Sequence, residues 1–244
     1  MKAVRYSQFG GPEVLEIVDL PDPHAGPGQI RVVVRAVGLN PTDWKLRKGL
    51  MGGELPQTTG REVAGVVDEV GSGVTDVRVG DRVFGFSADG KGAAELTLLA
   101  DYAPIPPSVG FAEAAGLPVA IETATRSLDA LGVGAGSTLL VNGAAGGVGS
   151  AAVQLAVARG ARVIGTASPS NHEYLRSLGA EPVVYGEGLV ERGRALAPEG
   201  VDEAWRPDRS ADDCSLEQLG CSEVVAALRD PQEPTANLRS RTRG

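Results

Sequence analysis

The sequence predicts a mixed fold, α/β plus β, in which antiparallel strands come first and a parallel sheet with helices follows. Up to about residue 110, short strand patterns alternate with Gly and Pro turns, which is typical of an antiparallel barrel or sandwich. After residue 111, strand patterns alternate with helical ones, which is typical of βαβ units. This alternation stops near residue 203, so the parallel sheet is predicted to be incomplete at its C-terminal side.

The first region is predicted to contain six strands. Turn sequences such as Gly10-Gly11-Pro12 and Asp89-Gly90 separate them, because Gly and Pro favour the backbone angles of tight turns. The predicted strands are residues 2–6, 15–19, 29–37, 62–70, 82–86 and 93–99.

The second region begins with two predicted helices and then alternates strictly. Apolar residues recur at helical spacing in residues 112–115 and 122–131. The strands that follow are predicted at residues 138–142, 162–166 and 182–185. Each of them precedes a predicted helix, at residues 147–159, 171–177 and 189–196.

Residues 203–244 have a different composition. No segment there matches a strand pattern, only residues 222–228 match a helix, and Arg residues are frequent. We interpret this segment as an atypical tail, of the kind that disorder or an out-of-frame reading of the coding sequence produces. A genuine variant with an unusual C-terminus is the alternative.

The totals exclude several classes of function. The chain has 244 residues, of which 42% are hydrophobic and 22% charged, which is enough apolar material for a core. A net charge of −8 argues against binding to nucleic acid or an anionic membrane. The N-terminus has no apolar signal core, and no window approaches the ~18 apolar residues of a membrane span. A cytoplasmic location is therefore expected.

Cysteine and histidine are scarce. The chain has two Cys, Cys214 and Cys221, and two His, His24 and His172. A disulfide framework and a Cys/His metal site are therefore both disfavoured, and we predict no metal site.

A glycine-rich segment carries the sharpest functional signal. It follows a predicted strand and opens a predicted helix, which is the context in which backbone N–H groups and a helix N-terminus bind a pyrophosphate. The alternative is a purely structural turn. The predicted contacts to a dinucleotide are Gly143, Ala144, Ala145, Gly146, Gly147, Val148 and Gly149.

The end of the next strand predicts which dinucleotide binds. An acidic residue there would hold the ribose hydroxyls of NAD, but residues 164–171 contain no acid. Ser168, Ser170 and Asn171 are instead able to donate hydrogen bonds to a 2′-phosphate, which favours NADPH. The alternative is that the serines only cap the following helix. Tyr185, at the end of the third predicted strand, is a further candidate for contact with the cofactor.

Several motifs together resemble the zinc-free, quinone oxidoreductase (zeta-crystallin-like) branch of the medium-chain dehydrogenase/reductase family. They include the glycine-rich segment, Asn40-Pro41-Thr42-Asp43 and Gly60-Arg61-Glu62. The resemblance covers residues 1 to about 202. It implies a GroES-like catalytic domain at residues 1–118 and a partial Rossmann NADP-binding domain at residues 119–202, with the active site in the cleft between them.

The resemblance also implies how the chemistry works. Zinc-dependent relatives carry Cys at the position of Asn40 and His at that of Arg61, so this chain resembles the zinc-free branch. Asn40, Asp43 and Thr123 would line the nicotinamide and substrate pocket, and Arg61 would supply positive charge toward the acceptor oxygen. The alternatives are turn chemistry for Asn40 and Asp43, and a solvated surface charge for Arg61.

The sequence thus predicts an NADPH-dependent reductase of a quinone or an α,β-unsaturated carbonyl. The alternatives are a truncated family member that binds NADPH or a partner without turnover, and an enoyl-thioester reductase. The expected partner is a small-molecule substrate, and a homodimer is the alternative to a monomer.

Overall fold

A computed structural model describes residues 1–206 and 223–226. The chain divides into two compact units, Met1–Val119 and Ala120–Gly244. Among the described residues, no helix combines the length and apolar character that crossing a bilayer requires.

The first unit combines a small sheet with a closed barrel. Its strands are β1 (Lys2–Tyr6), β2 (Leu15–Asp19), β3 (Ile30–Val37), β4 (Gln57–Thr58), β5 (Glu62–Val70), β6 (Arg82–Ser87) and β7 (Leu96–Pro104). The sheet has the order β2-β1-β4, and the barrel has the order β3-β5-β6-β7. The predicted antiparallel barrel is therefore confirmed.

The core of the barrel follows from the alternation of side chains along its strands. Every pairing in the barrel is antiparallel, so alternate apolar residues of neighbouring strands meet inside. The fully buried members of this core are Ile30, Val32, Val63, Val67, Val83 and Leu99.

Two short helices, α1 (Pro41–Arg47) and α2 (Phe111–Ala115), belong to the first unit, and α3 (Pro118–Leu131) begins in it. The sequence predicted no helix around Asn40 and Asp43. The structure places a helix there because Pro41 sits at its first position, where a missing N–H costs nothing, and Asp43 lies in its first turn.

The second unit contains a parallel sheet. Its strands are β8 (Thr138–Val141), β9 (Arg162–Thr166), β10 (Glu181–Val183), β11 (Glu203–Arg206) and β12 (Glu223–Ala226). They have the order β10-β9-β8-β11-β12, and every pairing is parallel. The strand order therefore reverses at β8: β9 and β10 are added on one side of it and β11 and β12 on the other, as in a dinucleotide-binding fold.

Apolar clusters cover both faces of this sheet. One packs residues of α3, of α4 (Gly147–Ala158) and of α5 (His172–Ser177) against β8 and β9. The other packs α6 (Leu189–Leu196) against Leu140, Ile164 and Val183. Burial on both faces explains why Leu139–Val141 of β8 and Val163–Gly165 of β9 are continuous apolar runs.

The prediction that no strand follows residue 202 was wrong. In β11, Ala204 packs into the cluster that contains α6 and Trp205 into the opposite cluster. Two hydrogen bonds dock the strand, from the N–H of Asn142 to the Trp205 carbonyl and from the N–H of Asp202 to the Thr138 carbonyl. Charged residues at both ends, Glu203 and Arg206, hid this short strand from the apolar pattern.

The predicted helix at residues 222–228 is also wrong, because Glu223–Ala226 forms β12 beside β11. A short apolar run with two adjacent Val residues suits a strand as well as a helix turn, so periodicity alone does not separate them.

Residues 207–222 and 227–244, including Cys214 and Cys221, lie outside the described part of the chain. The described residues contribute five strands to this sheet, and its incompleteness stays a prediction.

Candidate functional site

In the first unit, the turn that carries Asn40 is fixed by Asp43. The backbone N–H of Asn40 donates to Asp43 Oδ2 at 2.7 Å, so a carboxylate in the first helical turn satisfies a donor ahead of the helix. Thr59 Oγ1 donates to Asp43 Oδ1 at 3.0 Å. Both oxygens of Asp43 therefore help to hold this turn in place.

The side chain of Asn40 is held by Glu62, which was not among the predicted site residues. Asn40 Nδ2 donates to Glu62 Oε1 at 2.6 Å, and the backbone N–H of Val119 donates to Glu62 Oε2 at 2.6 Å. Glu62 is only 1% exposed. Burial raises the pKa of its carboxyl group, the two hydrogen bonds oppose that rise, and the charge of Asp43 adds to it.

A glycine makes room for this carboxylate. A Cβ atom at Gly38 would lie 2.2 Å from Glu62 Oε1 and 2.3 Å from the carbonyl oxygen of Ala115. The backbone N–H of Gly38 also donates to the carbonyl oxygen of Glu62 at 3.0 Å. The sequence offered one signal for this site: Glu62 is a charged residue at the head of a strand whose next five residues, 63–67, are apolar.

The other two predicted catalytic residues lie in different units. Arg61 is exposed at the entrance to β5, where its carbonyl oxygen accepts from the N–H of Ser87 at 2.9 Å. Thr123 is half-buried in the part of α3 that belongs to the second unit. A cavity of about 230 Å³ in the first unit is lined by Met1, Leu20 and other residues, and includes none of the predicted site residues.

In the second unit, the glycine-rich loop joins β8 to α4. Gly143 has a φ of 70°, in the left-handed region that favours glycine. A Cβ atom at Gly149 would lie 2.2 Å from the carbonyl oxygen of Gly143 and 2.9 Å from Cα of Ala144. Gly149 is therefore required for the loop to fold back onto its own helix.

No described neighbour requires glycine at position 147. A Cβ atom there would meet no atom within 4 Å in the part of the chain that the structure describes. Gly146, which precedes α4, has no side chain, so it makes no capping hydrogen bond to the first turn of the helix. Uncapped N–H groups at the positive end of a helix dipole are where proteins commonly bind an anionic group.

Thr166, at the end of β9, anchors the loop and was not predicted. This fully buried side chain accepts from the N–H of Gly143 at 3.0 Å and donates to Asn142 Oδ1 at 2.6 Å. The carbonyl oxygen of Thr166 accepts from the N–H of Ala144 at 3.0 Å. A hydroxyl residue that ends a buried strand was the only signal in the sequence.

The predicted phosphate donors cluster after β9. Ser168 Oγ lies 3.0 Å from Ser170 Oγ, and Asn171 Nδ2 donates to Ser168 Oγ at 3.2 Å. Ser168 precedes a 3₁₀ turn, Pro169–Asn171, and makes no side-chain cap bond to it. The nearby acid Glu173 forms an ion pair with Arg176.

Tyr185 follows β10 on a loop that Arg192 holds. Arg192 Nη2 donates to the carbonyl oxygen of Val184 at 2.9 Å, and Arg192 Nε donates to the same oxygen at 3.3 Å. The side chain of Tyr185 is 57% exposed. It is therefore accessible on an ordered loop.

Metal ligands do not cluster in the part of the chain that the structure describes. No group of three or more His, Cys, Asp or Glu side chains there is arranged to hold an ion.

The fold and these two sites define the class of protein: two-unit proteins that combine a GroES-like barrel with a parallel sheet of the dinucleotide-binding type. Two family models match the chain: the alcohol dehydrogenase GroES-like domain over residues 26–121, and the zinc-binding dehydrogenase model over residues 147–206. The structure of the quinone oxidoreductase from Coxiella burnetii is 33% identical, with a TM-score of 0.76 over 93% of this chain and 75% of that one. The chain belongs to the medium-chain dehydrogenase/reductase family.

Two curated relatives are also similar. The chloroplastic NADPH-dependent alkenal/one oxidoreductase of Arabidopsis thaliana is 40% identical over 74% of this chain and 51% of the relative. The spectinabilin polyketide synthase system protein NorB of Streptomyces orinoci is 43% identical over 72% of this chain and 8% of that protein. The chain spans about half the length of most curated relatives that it matches.

Proposed function

We propose that this protein is an NADPH-dependent oxidoreductase that reduces a quinone or an α,β-unsaturated carbonyl without zinc. One observation carries the proposal. The loop between β8 and α4 presents backbone N–H groups at a helix N-terminus, and the space beside Gly147 is open to a ligand.

The residues of the second unit fit NADPH. The backbone from Gly143 to Gly149, including Ala144, Ala145, Gly146 and Val148, would hold the pyrophosphate. Ser168, Ser170 and Asn171 would donate to the 2′-phosphate, since the end of β9 has no acid and Glu173 is neutralised by Arg176. Tyr185 is the remaining candidate contact. When bound, NADPH supplies the hydride.

The residues of the first unit would face the acceptor. Without a Lewis acid, hydride transfer requires an acceptor that is already electron-poor, such as a quinone or an enone. Asn40 would orient that acceptor, and Asp43 would hold the turn that carries Asn40. Thr123 and the exposed Arg61 remain predicted contributors, Arg61 through its positive charge.

Zinc independence is supported by how Asn40 is used. Its Nδ2 atom donates a hydrogen bond to Glu62, and an amide nitrogen that donates in this way does not ligate a metal ion. No Cys precedes Cys214 in the sequence. The match to a zinc-binding dehydrogenase model therefore does not by itself argue for zinc in this chain.

Two alternatives each have an observation in their favour. The chain matches only about half the length of most curated relatives, which favours a member that binds NADPH or a partner without turnover. Its similarity to a polyketide synthase system protein favours an enoyl-thioester reductase.

Turnover experiments separate these functions. We would follow NADPH oxidation at 340 nm with a panel of quinones, alkenones and enoyl thioesters, and measure zinc in the same sample. Oxidation with quinones or alkenones, in protein without stoichiometric zinc, is expected. Oxidation with thioesters alone would favour the enoyl-thioester reductase, and NADPH binding without oxidation would favour the non-catalytic member.

Two further predictions concern the protein in its cell. A homodimer is tested by light scattering after gel filtration, and a cytoplasmic location is tested by cell fractionation.

A further inference from the structure

We infer that Glu62 is a positioning residue whose carboxylate sets the orientation of the Asn40 side-chain amide and fixes the first turn of α3. The catalytic consequence of this role rests on the proposed function. The geometric consequence does not, because it concerns only how Glu62, Asn40 and Val119 are held.

The two oxygens of Glu62 serve two different elements. Oε1 accepts from Asn40 Nδ2, ahead of α1, and Oε2 accepts from the N–H of Val119, the second residue of α3. Both distances are 2.6 Å, which is short for a nitrogen donor and typical of a charge-assisted hydrogen bond. One carboxylate therefore connects the turn of Asn40 to the first turn of α3, within the first unit.

An ionised carboxylate satisfies both donors, one with each oxygen. It has no donor end, so it forces Asn40 to present Nδ2 toward it, and the amide cannot turn over without facing oxygen to oxygen. The orientation of Asn40 follows from its partner rather than from its own rotamer preference. The carbonyl end of the amide is then the end that Asn40 presents away from Glu62.

The site is built at a cost to stability, which favours a functional role. Glu62 is 1% exposed, and a buried carboxylate stabilises a fold less than an apolar residue of similar size. Gly38 leaves the space that this carboxylate occupies. A purely structural position in β5 would be filled better by Val or Leu, as at Val63.

Substitution of Glu62 by Gln keeps the size and removes one acceptor. The new N–H₂ group must face either the N–H of Val119 or Nδ2 of Asn40. If Val119 keeps its acceptor, the amide of Asn40 has to turn over. If Asn40 keeps its acceptor, the Val119 N–H loses its own. Glu62→Gln thus disturbs one of these contacts whichever way its amide points.

The control is a buried hydrogen bond of the same barrel that does not touch Asn40. Thr97 is 2% exposed, and its Oγ1 lies 2.9 Å from Ser87 Oγ. Ser87 keeps a second partner, the N–H of Lys91, when Thr97 is replaced by Val. Thr97→Val therefore matches the loss of a buried hydrogen bond without changing the predicted site.

The first readout is independent of activity. In ¹H–¹⁵N spectra of the full-length protein, we expect Glu62→Gln to shift the side-chain amide resonances of Asn40 or to raise the exchange rate of the Val119 amide, on the order of tenfold or more. Thr97→Val should do neither. Unchanged Asn40 and Val119 signals in Glu62→Gln would overturn the inference.

The second readout is kinetic. Glu62→Gln should lower kcat about 10- to 100-fold, as misplacement of a reacting group does, with little change in the KM for NADPH. Thr97→Val should keep the wild-type kcat per folded molecule. An equal loss in both variants would reduce Glu62 to a structural residue. If the wild type oxidises no NADPH, the proposed function fails, whereas the spectra still decide how Asn40 is held.

Discussion

The two candidate sites of this protein are built in opposite ways. In the barrel unit, the residues around Asn40 are hydrogen-bonded to one another, and the partners are Asp43, Thr59 and Glu62. In the loop between β8 and α4, glycines expose the backbone, and the first turn of the helix has no capping side chain. The first site is closed by internal hydrogen bonds, whereas the second offers its hydrogen bonds to a ligand.

This difference predicts which substitutions the fold should tolerate at each site. In a site closed by its own contacts, a substitution is expected to change stability and function together. In a loop that binds through its backbone, stability and ligand binding depend on different residues, so each can be tested without disturbing the other. The two tryptophans divide in the same way, since Trp44 in the barrel unit is 42% exposed and Trp205 in the sheet unit is fully buried.

The largest expected effect is on the sheet unit. Trp205→Ala should lower the free energy of unfolding of that unit by about 3–5 kcal/mol, because it removes a large buried side chain from β11. Denaturant unfolding followed by circular dichroism measures this change. Trp44 fluorescence serves as the control, since the barrel unit should unfold nearly as before. A change below about 0.5 kcal/mol would mean that β11 is not packed into this sheet.

Two glycines of the loop separate folding from binding. Gly149→Val should cost about 1–3 kcal/mol, because its side chain would be forced against the backbone of Gly143 and Ala144. Gly147→Val should change stability by less than about 0.5 kcal/mol, since its side chain enters open space. Thermal unfolding compares the two. Equal destabilisation by both variants would contradict the geometry of the loop.

A smaller effect is expected in the pH dependence of the barrel unit. Burial raises the pKa of Glu62 in the folded state above that in the unfolded chain, so the folded state binds the proton more tightly than the unfolded chain does. The contribution of Glu62 to stability is therefore full below its unfolded pKa and is lost as pH rises through the folded one. Relative to Glu62→Gln, the wild type should lose stability as the pH increases from about 4 to 8.

Denaturant unfolding of both proteins across this pH range measures the difference between them. A difference that grows in favour of the wild type as the pH rises would show that the two hydrogen bonds to Glu62 outweigh its burial.

The smallest expected effect has the opposite sign and lies in the sheet unit. Arg162 lowers the pKa of Glu181 through a hydrogen-bonded ion pair at 2.7 Å. This contribution is present above the unfolded pKa and is lost as pH falls through the folded one. Both side chains are 44% exposed, so Glu181→Gln should cost less than about 1 kcal/mol at pH 7. A pH titration of stability that shows no loss toward acid for this pair, or a larger cost at neutral pH, would contradict this assignment.

Local features of the structure were predictable from the sequence. The predicted bounds of β1, β2, β5 and β9 are those observed, because turns and apolar patterns mark both ends of each strand. The glycine-rich loop was predictable for the same reason, since strand, glycines and helix are adjacent in the chain. The fold class and the family followed from these local signals.

Features that depend on distant partners were not predictable. Glu62 meets Asn40 across 22 residues and Val119 across 57, and Thr166 meets Gly143 across 23. In β11, only two apolar residues, Ala204 and Trp205, lie between charged ones, so its pairing with β8 identifies the strand and its own pattern does not. Pattern analysis detects regular spacing within one segment, whereas these contacts join residues from segments that are far apart in the sequence.

The central claim is that the open loop binds NADPH through its backbone. Titration of the wild type with NADPH and with NADH, followed by cofactor fluorescence, tests it directly. NADPH should bind more tightly by about tenfold, or ~1.4 kcal/mol. Gly147→Val should fold normally and lose most of the affinity for both cofactors, because its side chain occupies the approach to the pyrophosphate. Tighter binding of NADH, or unchanged binding of NADPH by a folded Gly147→Val variant, would contradict the account.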